Sequence, residues 1–348
     1  MFPHHSDPTP SPDWEKSTAI DAVTNPQHRS VPYIECMNLV DRAFDATLIG
    51  YTSVGFALRG LDVDDPFLDL DGKVVVVSGA TGGIGKATVQ RLARNGATVH
   101  AIGRSPEKLD ALVSTTDGKV VAHCADLSIM EETARVGREI VEQVTQIDGL
   151  ANNVGVMAKD RTETAEEFEL SYATNLLGQY VLTETLKPKF AAGSRIVFVS
   201  SGGMYSQALT AANIESSDGE FNGTNAYART KRGQVVLAED LNTGPDYELA
   251  SVFSMHPGWV DTDGVKGSLP TFRKLTKWVL RDASQGADTI VWLLGAPNAE
   301  GLAGEFVHDR KPRPKHRLKS TRTPPEVRNA FFHKIHSDAE QYLNREDS

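Results

Sequence analysis

Cysteine is scarce: Cys36 and Cys124 are the two thiols of a 348-residue chain, and their contexts are dissimilar. That argues against a disulfide framework and a thiolate metal site, and suits a reducing, cytoplasmic setting. Basic charge is also short, with 36 Lys and Arg against 46 Asp and Glu and a net charge of −10. Without a basic field to meet a phosphate backbone, nucleic acid is not an expected partner. Nowhere do eighteen apolar residues run together, and the start MFPHHSDPTPSPDW has no basic region followed by an apolar one. Neither a spanning helix nor a cleaved signal is expected. The ten histidines show no ligand spacing, so no metal is expected.

What is present divides the chain into four stretches. Residues 1–30, rich in Pro, Ser, Thr and Asp, have little to bury and read as a disordered tail. Within 31–70 the positions Ile34, Met37, Val40, Phe44, Leu48 and Tyr51 recur every three or four residues, opposite Glu35, Asp41, Arg42 and Asp45. That spacing predicts an amphipathic helical extension. Its acidic polar face favours packing on the domain; peripheral membrane contact through 31–60 stays open, as does homo-oligomerisation. From 71 to 309 short β-branched runs alternate with longer helical ones. The pattern predicts a single α/β domain, a Rossmann-type doubly wound parallel sheet of about seven strands flanked by helices. Strands are expected at 73–78, 97–102, 119–124, 148–153, 194–200, 249–255 and 304–309. Residues 310–348 read as a basic, Pro-rich solvated linker and a C-terminal helical tail. Trp278 and Trp292 read as helix faces over the sheet.

The first chemical signal is SGATGGIG, residues 78–85, which follows a run of four valines and opens a helical stretch. Glycine lets the chain turn sharply and lets a pyrophosphate approach the backbone, and a helix N-terminus offers free N–H groups to that anion. Gly79, Gly83 and Gly85 therefore point to a dinucleotide. The next strand ends AIGRS, with Gly103 where an NAD-selecting acid is expected and Arg104 beside it. A guanidinium suits a 2′-phosphate, so NADP(H) is favoured over NAD(H).

The second signal is YARTK, which sets Tyr227 and Lys231 on one helical face. Reducing a carbonyl leaves an alkoxide that must be protonated. A phenol of pKa about 10 becomes a usable acid and base when a neighbouring ammonium stabilises phenolate. His256, at a strand end, reads as a structural imidazole because the phenol accounts for proton transfer.

Together the loop SGATGGIG, LANNVG (150–155), ATNLLG (173–178), VSS (199–201), YARTK and HPGWVDT (256–262) resemble the motifs of the short-chain dehydrogenase/reductase family over about 71–309, in its retinol-dehydrogenase-like branch. Ser78 and Val154 are conservative departures from the family's Thr and Ala. The resemblance implies a catalytic tetrad of Asn175, Ser201, Tyr227 and Lys231. It also implies cofactor contacts at Ser78, Gly79, Thr81, Gly83, Ile84 and Gly85, at Arg104, Asp126 and Leu127, at Asn153 and Gly155, at Tyr227 and Lys231, and at Pro257, Gly258, Val260 and Thr262. Its implied substrates are lipophilic carbonyls or alcohols. Loops carrying Met157, Met204, Tyr205, Leu209, Leu269 and Phe272 are expected as pocket walls. A non-catalytic NADP(H)-binding scaffold or redox sensor of the same fold is the alternative.

Overall fold

The structure, a computed structural model, describes residues 47–61, 63, 68–217, 219–261, 274 and 276–344. The expectations for 1–46, for Thr262 and for Leu269 and Phe272 lie outside these residues. In chain order, helix α1 (Ser53–Leu58) precedes β1 (Val74–Ser78), α2 (Gly83–Arg94), β2 (Thr98–Gly103), α3 (Pro106–Thr115), β3 (Lys119–Cys124), α4 (Met130–Gln143) and β4 (Ile147–Asn152). Then come α5 (Leu170–Tyr172), a π-helical turn (Ala173–Leu177), α6 (Gly178–Leu186), β5 (Phe190–Val199), α7 (Gly223–Leu241) and β6 (Ala250–Met255). The chain ends with α8 (Ala283–Gly295), β7 (Phe306–His308), β8 (Lys311–Arg313) and α9 (Pro325–Leu343).

Four consecutive valines make a strand here because both faces of β1 are covered and both edges are paired. β1 lies in parallel between β2 and β4. Val76 faces a core built with α4, α6, α7 and α9, whereas Val75 and Val77 face a second core built with α2 and α8. A strand buried on both sides shows a continuous apolar run, and alternation would have marked a wet face. The sheet order is β3-β2-β1-β4-β5-β6-β7-β8. Strand order reverses between β1 and β4, and beyond their C-terminal ends such sheets open a crevice for ligands.

Three expectations about the flanking segments are corrected. The boundary after Asp309 falls inside the sheet, because β8 adds an eighth, antiparallel strand to β7 through His308↔Lys311. The two-residue turn puts Asp309 and Arg310 at φ +53° and +58°, the left-handed values that a tight hairpin of this kind requires. Neither residue is Gly or Asn, so the turn was hidden in a stretch that read as a charged linker. Its charges are matched by tertiary partners: Arg310 grips Asp288 (2.7 and 2.9 Å), and Asp309 grips Arg281 (2.6 and 2.8 Å). The C-terminal helix α9 in turn docks by Phe331, Ile335, Ala339 and Tyr342 on the core beside α6 and α7.

Between 47 and 60 the extension is broken into a 3-10 turn (Leu48–Tyr51) and α1, with Thr52 extended between them. Tyr51 and Phe56 are buried, so this part of the extension packs on the domain. A Cβ on Gly55 would come within 2.3 Å of Ile49 O, which is how the two turns pack so closely. Trp292 is buried as expected, but Trp278 is 83% exposed, in a turn held by Val279 N–H to Thr276 O (2.9 Å) and not in a helix over the sheet.

Candidate active site

Ser78 ends β1 with its hydroxyl buried among backbone groups of the neighbouring β4 end. Its Oγ donates to Ala151 O (3.2 Å) and accepts from the N–H groups of Asn153 (2.9 Å) and Val154 (3.1 Å). Asn153 Nδ2 returns bonds to Ser78 O (3.0 Å) and Gly79 O (3.3 Å). The loop can press this tightly because Gly79 has φ +66° and Gly85 has no side chain. A Cβ on Gly85 would stand 2.1 Å from Gly79 O. Beyond the loop, α2 starts at Gly83 with no side-chain cap and no acid in its first turn. Its leading N–H groups and positive dipole end are therefore available to an anion, and the cradle fits a pyrophosphate.

The other expected cofactor residues lie along the same sheet end. Arg104 is exposed just past β2 and makes no hydrogen bond or ion pair among the described residues. Gly103 packs against Thr81, whose Cγ2 would lie 2.6 Å from a Cβ there, so that position excludes a carboxylate for packing reasons as well. Asp126 follows β3 and accepts from Ser128 N (2.9 Å) and Oγ (2.8 Å), while Leu127 is buried beside it. After β6, Gly258 has φ +85° and Val260 is buried. Val260 and Ile84 both approach Gly286 of α8, at 2.7 and 3.0 Å from where its Cβ would be, so the glycine loop and the Pro257–Val260 loop share one support.

The side chains expected to carry proton chemistry lie where β4, β5 and α7 meet. The π-turn carries Asn175, whose side-chain amide pairs with the backbone of Val156 in both senses: Oδ1 accepts from Val156 N (2.7 Å) and Nδ2 donates to Val156 O (2.8 Å). Nδ2 also donates to Thr230 Oγ1 (3.0 Å). Lys231 Nζ donates to Val199 O (2.8 Å) and lies 5.4 Å from the centre of the Tyr227 ring. A Cβ on Gly155 would meet Lys231 Nζ at 3.3 Å and Asn175 Oδ1 at 3.4 Å, so all three converge on one small space. Ser201 caps a 3-10 turn, its Oγ accepting from Gly203 N (3.2 Å), and stands beside the Tyr227 phenol, whose pKa it pulls down.

The electrostatics differ from the expectation that Lys231 lowers the phenol pKa. Burial pushes Tyr227 above its ordinary value, outweighing the Ser201 hydrogen bond that pulls it down. Burial also pulls Lys231 down to about 7. A tightly held phenolic proton beside a serine hydroxyl makes a general acid for an oxyanion.

The structure thus brings Asn175, Ser201, Tyr227, Lys231 and Gly155 together. Of the expected pocket walls, Met204 and Leu209 are instead core residues, while Met157 and Tyr205 are half-buried. His256 is buried, with Nδ1 accepting from Gly258 N (3.3 Å), in keeping with a structural imidazole.

Sequence reasoning missed the residues that hold the site. Gln179 donates to Val154 O (2.7 Å), Gln234 donates to Asn175 O (2.9 Å), and Arg232 donates to Met204 O (2.9 Å) in the segment after Ser201. All three are buried polar groups on helices, and polar residues amid the apolar stripes of α6 and α7 were the available signal.

The chain is similar to known proteins over most of its length. A family model described as short chain dehydrogenase matches residues 73–271. The chain is 37% identical over 276 residues to dehydrogenase/reductase SDR family member 12 of Bos taurus, covering 76% of this chain and 86% of that one. It is 30% identical over 270 residues to retinol dehydrogenase 14 of Mus musculus, covering 71% and 80%. Among solved structures, a short chain dehydrogenase from Burkholderia cenocepacia in complex with NADP superposes with a TM-score of 0.56 at 22% identity, covering 68% and 96%. The chain belongs to the short-chain dehydrogenase/reductase family, and so is a nucleotide-binding, NAD(P)-dependent oxidoreductase acting on CH–OH or carbonyl groups.

Lys231 gives a pH test. Its folded value of about 7 lies below the unfolded value of about 10.4, so between these pH values the unfolded chain holds a proton that the folded chain has released. The cofactor-free protein should therefore gain stability as pH rises from 7 towards 10, and Lys231→Met should lack that gain. Urea unfolding of both proteins at pH 7.5 and 9.5 checks it; equal slopes for the two would show that burial does not perturb Lys231.

Proposed function

We propose that the chain interconverts a lipophilic carbonyl and its alcohol with NADP(H), using Tyr227 as acid and base. The observation that carries this reading is the convergence of Gly155, Asn175, Lys231, Tyr227 and Ser201 at the end of the sheet where the glycine cradle opens. Gly79, Thr81, Gly83, Ile84 and Gly85 would hold the pyrophosphate, with Ser78 fixing their loop to β4. Arg104 would hold a 2′-phosphate, and Asp126 and Leu127 would contact the adenine. Asn153, Gly155, Tyr227, Lys231, Pro257, Gly258 and Val260 would bound the nicotinamide half. Bound there, the dinucleotide supplies the hydride in reduction and accepts it in oxidation.

In reduction, Tyr227 gives its phenolic proton to the substrate oxygen as negative charge gathers there. Ser201, whose Oγ accepts from Gly203 N, would donate a second hydrogen bond to the same oxygen. As an ammonium, Lys231 has two N–H bonds beyond the one to Val199 O, and these would serve the phenol and a ribose hydroxyl of the bound dinucleotide. Asn175 keeps Val156 and Thr230 in register beside them. In oxidation the same phenol, ionised with help from Lys231, takes the hydroxyl proton.

A lipophilic substrate is supported by Met157 near the site and by relatives such as the murine retinol dehydrogenase. Contact with an anionic membrane surface is supported by a patch that the Ser53 N–H to Val279 O bond (2.9 Å) draws together. In it Ile49, Val54 and Leu58 are 48 to 60% exposed beside Trp278, with Lys277 over the indole (4.6 Å). Aromatic and basic residues together suit a bilayer interface.

Three outcomes test the reading. Tyr227→Phe should lower kcat on a carbonyl panel by about 10²–10⁴-fold and leave the NADPH Kd within about twofold, since the phenol acts on the transition state; retention of most activity would place the proton elsewhere. Arg104→Ala should weaken NADPH about tenfold or more and leave NADH unchanged, as expected for a hydrogen bond to a charged group; equal loss for both dinucleotides would remove the 2′-phosphate role. In flotation with phosphatidylserine-containing liposomes the protein should rise, and Val54→Ser with Trp278→Ser should not; indifference of both proteins to liposomes would remove the membrane contact.

A further inference from the structure

Arg281 is 1% exposed, and a guanidinium carries five N–H donors in fixed directions. Five acceptors meet it. Nε donates to Thr52 O (3.2 Å), Nη1 to Pro257 O (3.3 Å) and Asp309 Oδ1 (2.6 Å), and Nη2 to Gly50 O (3.0 Å) and Asp309 Oδ2 (2.8 Å). One side chain therefore joins the segment before the sheet, the loop after β6 and the β7–β8 turn. Arg59 brings a second guanidinium to Gly50 O (2.8 Å) and Asp309 Oδ2 (2.5 Å).

The backbone repeats the connection. Trp259 N donates to Tyr51 O (2.7 Å), Arg281 N donates to Trp259 O (2.7 Å), and Asp261 N donates to Arg281 O (2.9 Å). Trp259 is thus held on one side by the extension and on the other by Arg281. The Tyr51 ring packs at a tilt against His256 (4.9 Å), His308 (5.3 Å) and Trp259 (5.9 Å). A Cβ on Gly258 would come within 2.4 Å of Arg281 Nε, so the guanidinium lies directly beneath the loop. Two cations and one carboxylate, all nearly dry, leave one positive charge, which faces the carbonyls of Gly50, Thr52 and Pro257. Burial would raise the Asp309 pKa, but His308, Arg281 and Arg59 together hold it well below the usual carboxylate range.

We propose that Gly50–Arg59 is a positioning element of the cofactor site, locked onto the Pro257–Asp261 loop by Arg281 and Asp309. This rests on the reading of that loop as a wall of the nicotinamide half of the site. The extension is then part of the oxidoreductase machinery. Loss of its clamp releases the loop: without Gly50 and Thr52, Arg281 loses two of five acceptors, and Trp259 N loses its partner. Arg281 and Asp309 touch neither substrate nor reacting atoms, and act through the loop.

The test uses Asp309→Asn in the full-length protein, because Asn keeps the shape and tolerates φ +53° while losing the charge. Hydrogen exchange of the cofactor-free protein should show the Trp259 and Asp261 amides exchanging about tenfold or more faster, with β1 and β4 unchanged. The NADPH Kd should rise about tenfold, the effect of one lost charged hydrogen bond, while KM for a carbonyl substrate changes little. Arg281→Lys, which keeps the charge but has fewer donors, should move the same readouts in the same direction. Arg310→Gln is the control: it sits in the same turn but is bound to Asp288, and should lower Tm without changing exchange at 259–261 or NADPH affinity. Unchanged exchange at Trp259 in Asp309→Asn overturns the clamp. Equal effects of the Asp309 and Arg310 substitutions overturn the positioning role in favour of general stability. Faster exchange with unchanged NADPH affinity overturns the coupling and identifies the reading of the loop, not the clamp, as the failed step.

Discussion

The edge-on pairing of the Asn175 amide with the backbone of Val156 is the constraint on which the site depends. A segment leaving the end of β4 has no further strand to pair with, and its N–H and C=O groups would be costly to bury alone. Asn175 satisfies both at 2.7 and 2.8 Å and so finishes the strand as a side chain. It can reach because its helix carries a π-turn at 173–177, a geometry that often marks functional positions. With Val156 fixed, Gly155 is fixed beside Lys231, and the same amide reaches Thr230 on the next helix. Gln179 and Gln234 extend the network through a bond of 2.5 Å between them.

Burial then decides the chemistry. Lys231 is enclosed by backbone and by Asn175, with Val199 O as its hydrogen-bond acceptor, and its ammonium is destabilised accordingly. Tyr227 is held in its protonated form by the same enclosure. In the function we propose, a site built this way gives a proton to a developing oxyanion. Ionising the phenol requires Lys231 to carry its charge, and polar groups arriving with a ribose would favour that. The glycine cradle and the Pro257–Val260 loop meet at Gly286 through Ile84 and Val260, so the anion end and the reactive end of the site are set by one helix, α8.

Much of this was legible in the sequence because short-range rules carried it. The doubly buried β1, the glycine loop and the four-residue spacing of Tyr227 and Lys231 each follow from local pattern, and the mostly parallel sheet with crossover helices followed from alternation of element types. The illegible parts were those decided by distant partners. Asp309 and Arg310 make a tight turn without glycine because Arg281, Arg59 and Asp288 sit around them. The basic stretch that looked solvated is partly sheet, with Arg313 buried and donating to His308 O (3.2 Å). Met204 and Leu209 had the apolar character of pocket walls, and nothing local distinguished that from core. The helical period at 31–60 did not reveal the break at Thr52, where contacts with Trp259 and Arg281 override it.

The central claim, that this site moves a hydride between a dinucleotide and a carbonyl carbon under proton transfer from Tyr227, is tested most directly by isotope transfer. The protein would be incubated with a panel of lipophilic aldehydes and ketones and NADPH carrying deuterium at both positions on C4 of the nicotinamide, and the products weighed by mass spectrometry. The account predicts an alcohol bearing one deuterium on the carbinol carbon, with the label absent from products of the Tyr227→Phe protein under the same conditions. Alcohol formed without the label, or NADPH that binds at the site while no carbonyl in the panel is reduced and no matching alcohol oxidised, would contradict it.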